Sequence, residues 1–141
     1  TLGGPATSFK VSVDVYREAA QRNGFDPNTL PIATTSLFYT AENSQDALRE
    51  FYPHLNYGMQ TINGVGYPKQ QFAQSTDYRD ALMVGSPQQI IEKMIYQYEL
   101  YGQQRFMAQI DFGGVSFDKI QKNIELIATQ IIPAIKKYTS K

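Results

Sequence analysis

The chain has 141 residues, a formal net charge of zero and a pI near 6.5. That balance lacks the basic excess through which nucleic acids and acidic membranes are bound. With no cysteine, disulfides, thiolate chemistry and Cys-based zinc sites are excluded too. No apolar run approaches the ~20 residues that span a bilayer. No signal peptide opens the chain. Without cysteine an oxidising compartment is not needed, and the cytoplasm is the expected one. Thr1 stands where Met would, and the chain is expected to begin inside a longer gene product or to have been trimmed.

Leu2-Gly3-Gly4-Pro5 reads as a strand end meeting a turn. A helical pattern runs from about Phe9 to Asn23, with Val11, Val15 and Ala19 on one stripe and Tyr16 and Ala20 beside it. Thr7 or Ser8 can cap its start, and Gly24 can close it in a left-handed conformation. Pro31–Thr40 is rich in β-branched and aromatic residues with little alternation, the pattern of a strand buried on both faces. Asn43 or Ser44 then caps a short helix whose stripe is Ala47, Leu48, Phe51, Tyr52 and Leu55. Pro53 predicts a kink or break in it.

Asn56–Leu82 shows no clear period and is rich in Gly and Gln. A structureless stretch this long in a compact domain suggests a lid or binding loop, with room for a short helix around Lys69–Gln74. Ser86-Pro87-Gln88-Gln89 carries three agreeing helix-start signals: an N-cap, a proline at the first helical position and a capping box. Its helix buries Ile90, Ile91, Met94, Ile95 and Tyr98 and ends at Gly102. Arg105–Phe112 is a strand and Gly113-Gly114 a tight turn. Ser116 caps a last helix expected to bury Ile120, Ile124, Ile127, Ile131 and Ile135 and to kink near Pro133.

Alternating strands and helices imply a parallel α/β sheet. About two full strands cannot cover the apolar faces of three or four helices. The chain therefore reads as part of a wider sheet or barrel, incomplete alone.

On the strand 105–112, Phe106, Ala108, Ile110 and Phe112 share one face and Met107, Gln109 and Asp111 the other. In a barrel the apolar face would meet the helices, and Gln109 and Asp111 would point inward near the catalytic mouth. An edge strand with its polar face in water reads the same way. Gly113-Gly114 at that mouth would allow close approach of a ligand, or would be only a turn. His54, the only histidine, follows Phe51-Tyr52-Pro53 and is either a packing residue or a participant in chemistry. No second histidine or carboxylate cluster has metal-ligand spacing. No nucleophile elbow, P-loop or dinucleotide fingerprint occurs.

Several segments together resemble a known family. Val84-Gly85-Ser86-Pro87-Gln88-Gln89 with its amphipathic helix is similar to the "VGSPEEV…EKI" segment of the luciferase-like flavin monooxygenases. Arg105–Gln109 with Gly113-Gly114 resembles that family's last barrel strand and turn, and Asn123–Ile135 its closing helix. Asp14–Ala19 resembles its "YREA" helix and Tyr52-Pro53-His54 its "YPH" segment. The matches keep the family's order along nearly the whole chain.

The resemblance implies the C-terminal part of a (β/α)₈ TIM barrel, about two to three βα units, in a single barrel segment with a lid at about 56–82. It implies an oxidoreductase that uses reduced FMN, or in some relatives a deazaflavin, and O2 to oxidise a small organic substrate. A flavin reductase is its implied partner. His54, Met59, Lys69 and Arg79 are then substrate or lid residues, and Gln109, Asp111, Gly113 and Gly114 line the cofactor side. Most flavin contacts of the family lie in earlier strands, so these residues alone are expected to bind no flavin tightly, to be inactive, and to self-associate. The alternative implied by the family is a non-catalytic subunit with a role in assembly.

Overall fold

The computed structural model describes residues 1–140. Three parallel strands form one sheet in the order β2-β1-β3: β1 at Ala33–Thr40, β2 at Met83–Gly85 and β3 at Arg105–Gln109. The α1 helix (Thr7–Arg22) precedes them. The α2 helix (Ser44–Asn63) and the short α3 (Lys69–Gln74) lie between β1 and β2, and α4 (Pro87–Tyr101) joins β2 to β3. After β3 come α5 (Phe117–Leu126), a π-helical turn (Ile127–Ile131) and α6 (Ile132–Thr139).

Successive strand side chains point to opposite faces, and both faces are covered at the C-terminal end of the sheet. Leu37 and Tyr39 of β1, with Leu82 and Val84, pack on Ala47, Phe51 and Leu55 of α2 and Phe72 of α3. Phe38 and Met83 point the other way, onto Ile90 of α4 and Ile131 of the closing helices, where Phe106 and Ile110 join them. The apolar face of strand 105–112 thus meets helices as expected through Phe106 and Ile110. Phe112 lies beyond the strand's end at Gln109 and turns to the α2 side.

The α/β class, the parallel sheet and its incompleteness stand. Several local expectations do not. Leu2-Gly3-Gly4 is not a strand; the chain instead docks on residues 79–81, with a single antiparallel bridge between Pro5 and Asp80. Thr7 and Ser8 do not cap α1, which starts without a side-chain cap, and the Ser8 hydroxyl bonds back to Pro5 O. Gly24 does close α1: the Phe25 N–H reaches Ala20 O at 2.9 Å, the 6→1 bond of a left-handed glycine terminus.

Pro53 does not break α2. It lies on the exposed face, where water can serve the carbonyl that a proline leaves unbonded, so α2 runs for 20 residues. Asn43 caps its start by accepting from Asp46 N at 2.9 Å. Residues 56–82 are accordingly not structureless: α2 supplies 56–63, Asn63 Oδ1 caps the turn at Val65 and Gly66, and α3 follows. At Pro133 the expected kink takes the form of the π turn that runs directly into α6, which relieves the clash between a proline ring and the preceding turn.

Candidate functional site

The three strands run parallel, β1 and β2 ending together at Thr40 and Gly85 and β3 ending at Gln109 beside Leu37, so the segments that follow them gather at one end of the sheet. Parallel α/β folds place their ligands at that end because loop residues and helix N-termini converge there. Two helices start at it with the caps that their sequences call for. The Asn43 side chain accepts from Asp46 N, and the Ser86 side chain accepts from Gln89 N.

At this end the loop after β3 is locked to α2 by two close contacts. The Phe112 ring lies flush on Gly58, where an added Cβ would come within 2.4 Å of the ring. Gly113, at φ +74°, faces the backbone of His54, and a Cβ there would lie 1.9 Å from the His54 carbonyl oxygen. The His54 ring answers that contact, with Nδ1 2.9 Å from Gly113 O. Two residues separated by 59 positions and singled out by sequence for different roles are thus direct neighbours.

The other expected site residues are more scattered. Met59 is half-buried against the α2-side core. Gln109 and Asp111 are exposed, and Gln109 pairs with Leu37 in the ladder, on the face opposite Phe106. Gly114 has φ +77° and open space where a Cβ would go. Lys69 is exposed at the start of α3. Arg79 is exposed and committed to Asp77, with Nε to Oδ1 at 3.0 Å and Nη2 to Oδ2 at 2.7 Å.

Two features escaped the sequence. Beside the end of β1 is a cavity of about 340 Å³ lined by Tyr39, Thr40, Glu42, Glu50, Lys119 and Lys122, among others. Within it the Tyr39 hydroxyl donates to Glu50 Oε2 at 2.5 Å, and Lys119 lies 3.1 Å from Glu50 Oε1. Burial pushes the Glu50 carboxyl up, but the Tyr39 and Lys119 hydrogen bonds outweigh it and hold the group below its usual range. Burial, then the bond to Glu50, raises the Tyr39 phenol. Below them buried Asn123 accepts from Thr40 N at 2.7 Å and ties α5 to the strand. These groups span β1, α2 and α5, and no local spacing announces them.

The second feature is Lys93, fully buried, with Nζ donating to Leu82 O at 2.6 Å and to Ser75 O. Burial lowers its ammonium to about 8, against the raising pull of Asp80 and Asp77. Lys93, Gln97 and Tyr101 follow Ile90 on the buried stripe of α4, while Ile91, Met94, Ile95 and Tyr98 are half-buried beside it. A helix-face reading anchored on Ile90 would have placed Lys93 inside. Among the described residues no group of three or more His, Asp and Glu side chains could hold a metal.

No family model matches the chain, and no curated protein matches it. Solved structures do. The monooxygenase RslO1 from Streptomyces bottropensis superposes with a TM-score of 0.77 at 19% identity, over 94% of this chain and 39% of its own. The FMN complex of the oxygenating constituent of 3,6-diketocamphane monooxygenase from Pseudomonas putida gives 0.64 at 18%, over 94% and 41%. The coenzyme F420 dependent tetrahydromethanopterin reductase from Methanopyrus kandleri gives 0.61 at 16%, over 94% and 44%. The chain shares its fold with part of each of these proteins and spans about two fifths of their length.

Proposed function

We propose that this chain is the C-terminal segment of a flavin-dependent monooxygenase that inserts one oxygen atom of O2 into a small organic substrate. The observation that carries the reading is the fold match to monooxygenases over nearly the whole chain, in the order in which the family-like segments run. Bound reduced FMN would supply the two electrons and the oxygen chemistry, with the second oxygen atom leaving as water.

The fit of the residues to that cofactor is partial. Gly114 offers an open backbone, with exposed Gln109 and Asp111 close by in sequence, and these groups suit the polar edge of a flavin ring. The phosphate is assigned to none of them. Arg79 is held by Asp77, which leaves Lys69 as the cation of segment 56–82 without an ion-pair partner among the described residues. Lys69 would meet an anionic group of the substrate. His54 and Met59 would form the substrate wall. Segment 56–82 would cover the site and exclude water, its position set by Tyr67, Phe72 and the Lys93 anchor. A flavin reductase would deliver the reduced cofactor in the cytoplasm. A deazaflavin in place of FMN is the reading favoured by the match to the reductase.

The test is reduced FMN added to the full-length protein that carries this segment. Tight binding and an O2-dependent product are expected, and loss of both in a folded protein sinks the proposal.

A specific observation favours a second reading, assembly without catalysis. Val11, Val15 and Phe25 are 63%, 54% and 63% exposed, and β3 is an open edge strand. A homo-oligomer would cover them. Flavin binding by the full-length protein separates the two readings.

A further inference from the structure

We infer that His54 is a ligand-binding residue whose Nε2 is set, by the Gly113 carbonyl, as the acceptor offered to a bound molecule. The inference rests on the flavin-site reading above for its location, and on the contact geometry for its chemistry.

Gly113 O is a carbonyl oxygen and can only accept. The ring nitrogen 2.9 Å from it must therefore be the donor, which puts a proton on Nδ1. In the neutral imidazole the lone pair then lies on Nε2, because one ring nitrogen donates and the other accepts. Nε2 makes no hydrogen bond to any described residue, and the side chain is half-buried, neither sealed in the core nor free in solvent. The carbonyl that accepts from the ring is itself held in place. Gly113 sits against the His54 backbone with no room for a Cβ, and the adjacent Phe112 ring is seated on Gly58 one helical turn further along α2. The same loop therefore fixes His54 from both its backbone and its ring. A nitrogen held this way selects an N–H or O–H donor on the ligand. Such donors occur on a flavin ring and on hydroxylated or amide substrates, but not on a purely hydrocarbon one.

His54 is the only histidine, so its ring gives a single pair of imidazole nitrogen signals in the labelled 141-residue chain. Proton-coupled nitrogen NMR is expected to show Nδ1 as the protonated nitrogen and Nε2 as the bare one. The reverse pattern, or averaging between the two, overturns the inference. Diethyl pyrocarbonate transfers an ethoxycarbonyl group to an unprotonated ring nitrogen, and peptide mapping is expected to place it on Nε2. An unreactive His54 in the folded chain overturns the inference as well. His54→Asn keeps an N–H at the δ position for Gly113 but has no Nε2. It is expected to hold the fold and lose the labelling, and the His54→Gln variant tests whether an acceptor at the ε position restores binding.

FMN at millimolar concentration is the probe. Where it binds, labelling of Nε2 is expected to slow by about tenfold, the worth of one hydrogen bond. FMN that saturates the chain and leaves Nε2 equally reactive overturns the binding role. FMN that does not bind even the full-length protein sinks the flavin reading instead, while the tautomer and the labelling still decide the assignment of Nε2.

Discussion

The two outer strands of this sheet are made of similar material and live in different surroundings. On one side β2 is wholly buried, as are the last five residues of β1, Ser36–Thr40. On the other, β3 pairs with β1 through a five-residue parallel register and is exposed along almost its whole length. Strand propensity does not explain the difference, since Arg105-Phe106-Met107-Ala108-Gln109 is a reasonable strand sequence. Cover explains it. The α2 and α4 helices close over β2 from both sides, whereas β3 has Phe106 against helices and Met107 half exposed. The sheet is finished on one flank and open on the other, and the loop after β3 is held by Ile110 on the α4 side and by Phe112 and Gly113 where it reaches α2.

The sharpest way to break that picture is at the tie. Gly113→Ala puts a Cβ into the His54 carbonyl and forces a left-handed backbone on alanine, so a loss of about 3 kcal/mol is expected. Gly114→Ala carries the same backbone strain with empty space around it, and about 1 kcal/mol is expected. Urea denaturation of the two variants side by side reads the difference. Equal losses would mean that the His54–Gly113 contact contributes nothing.

The buried flank is tested by pH. The Lys93 ammonium falls from an ordinary 10.5 to about 8 through burial. Between those values the unfolded chain binds a proton that the folded chain does not, so stability rises with pH, by on the order of 2 kcal/mol. Above pH 10 the sign reverses. Burial raises Tyr67 and Tyr101 to about 12, so the folded chain then keeps protons that the unfolded one loses. A maximum near pH 10 is expected in chemical denaturation, and Lys93→Met should flatten the rise below it. A wild-type curve that stays flat between pH 8 and 10 would mean that Lys93 sits in water and titrates as it does in the unfolded chain.

A smaller effect is expected where the tie reaches the helix. Glycine to alanine inside a helix ordinarily stabilises by about 1 kcal/mol. At Gly58 the methyl meets the Phe112 ring, and Gly58→Ala is expected to cost about 1–2 kcal/mol instead. Adding Phe112→Ala removes the clash, and the double-mutant cycle should show coupling between the two sites. Additive losses would mean that the loop and the helix are independent.

Much of this was legible in the chain. The cap at Ser86, the glycine terminus at Gly24, the two-sided burial of β1 and the alternation in β3 follow from local chemistry, and local chemistry is what a sequence displays. The failures share a cause. Val11 and Val15 make a good apolar stripe, but α1 packs on Ala81 and Tyr101 through Phe9 and Val13, and the residue it buries is Ala20. Ile124 makes an equally good stripe and is half exposed. Periodicity says which residues share a face and not whether anything covers it. His54, Gly58, Phe112 and Gly113 were visible as residues but not as one contact, since 59 positions separate the ends of that pair. Tyr39, Glu50 and Lys119 assemble from three elements in the same way.

The bare stripe on α1 offers the mildest substitution and the most direct test of the open flank. Val11→Ser with Val15→Ser removes two exposed methyl-bearing side chains that bury little in the folded chain, so a change in unfolding free energy of less than about 0.5 kcal/mol is expected. The same pair should matter to assembly. If copies of the chain cover one another through this face, the double variant should show a lower scattering mass at equal concentration while its denaturation midpoint, measured in the dilute range, stays put. Two outcomes would refute the comparison from opposite sides. A large loss of stability would mean that α1 packs on its own fold through this stripe. An unchanged mass in an associating wild type would leave the open edge of β3 to carry the association, since β3 has no strand paired along its outer side.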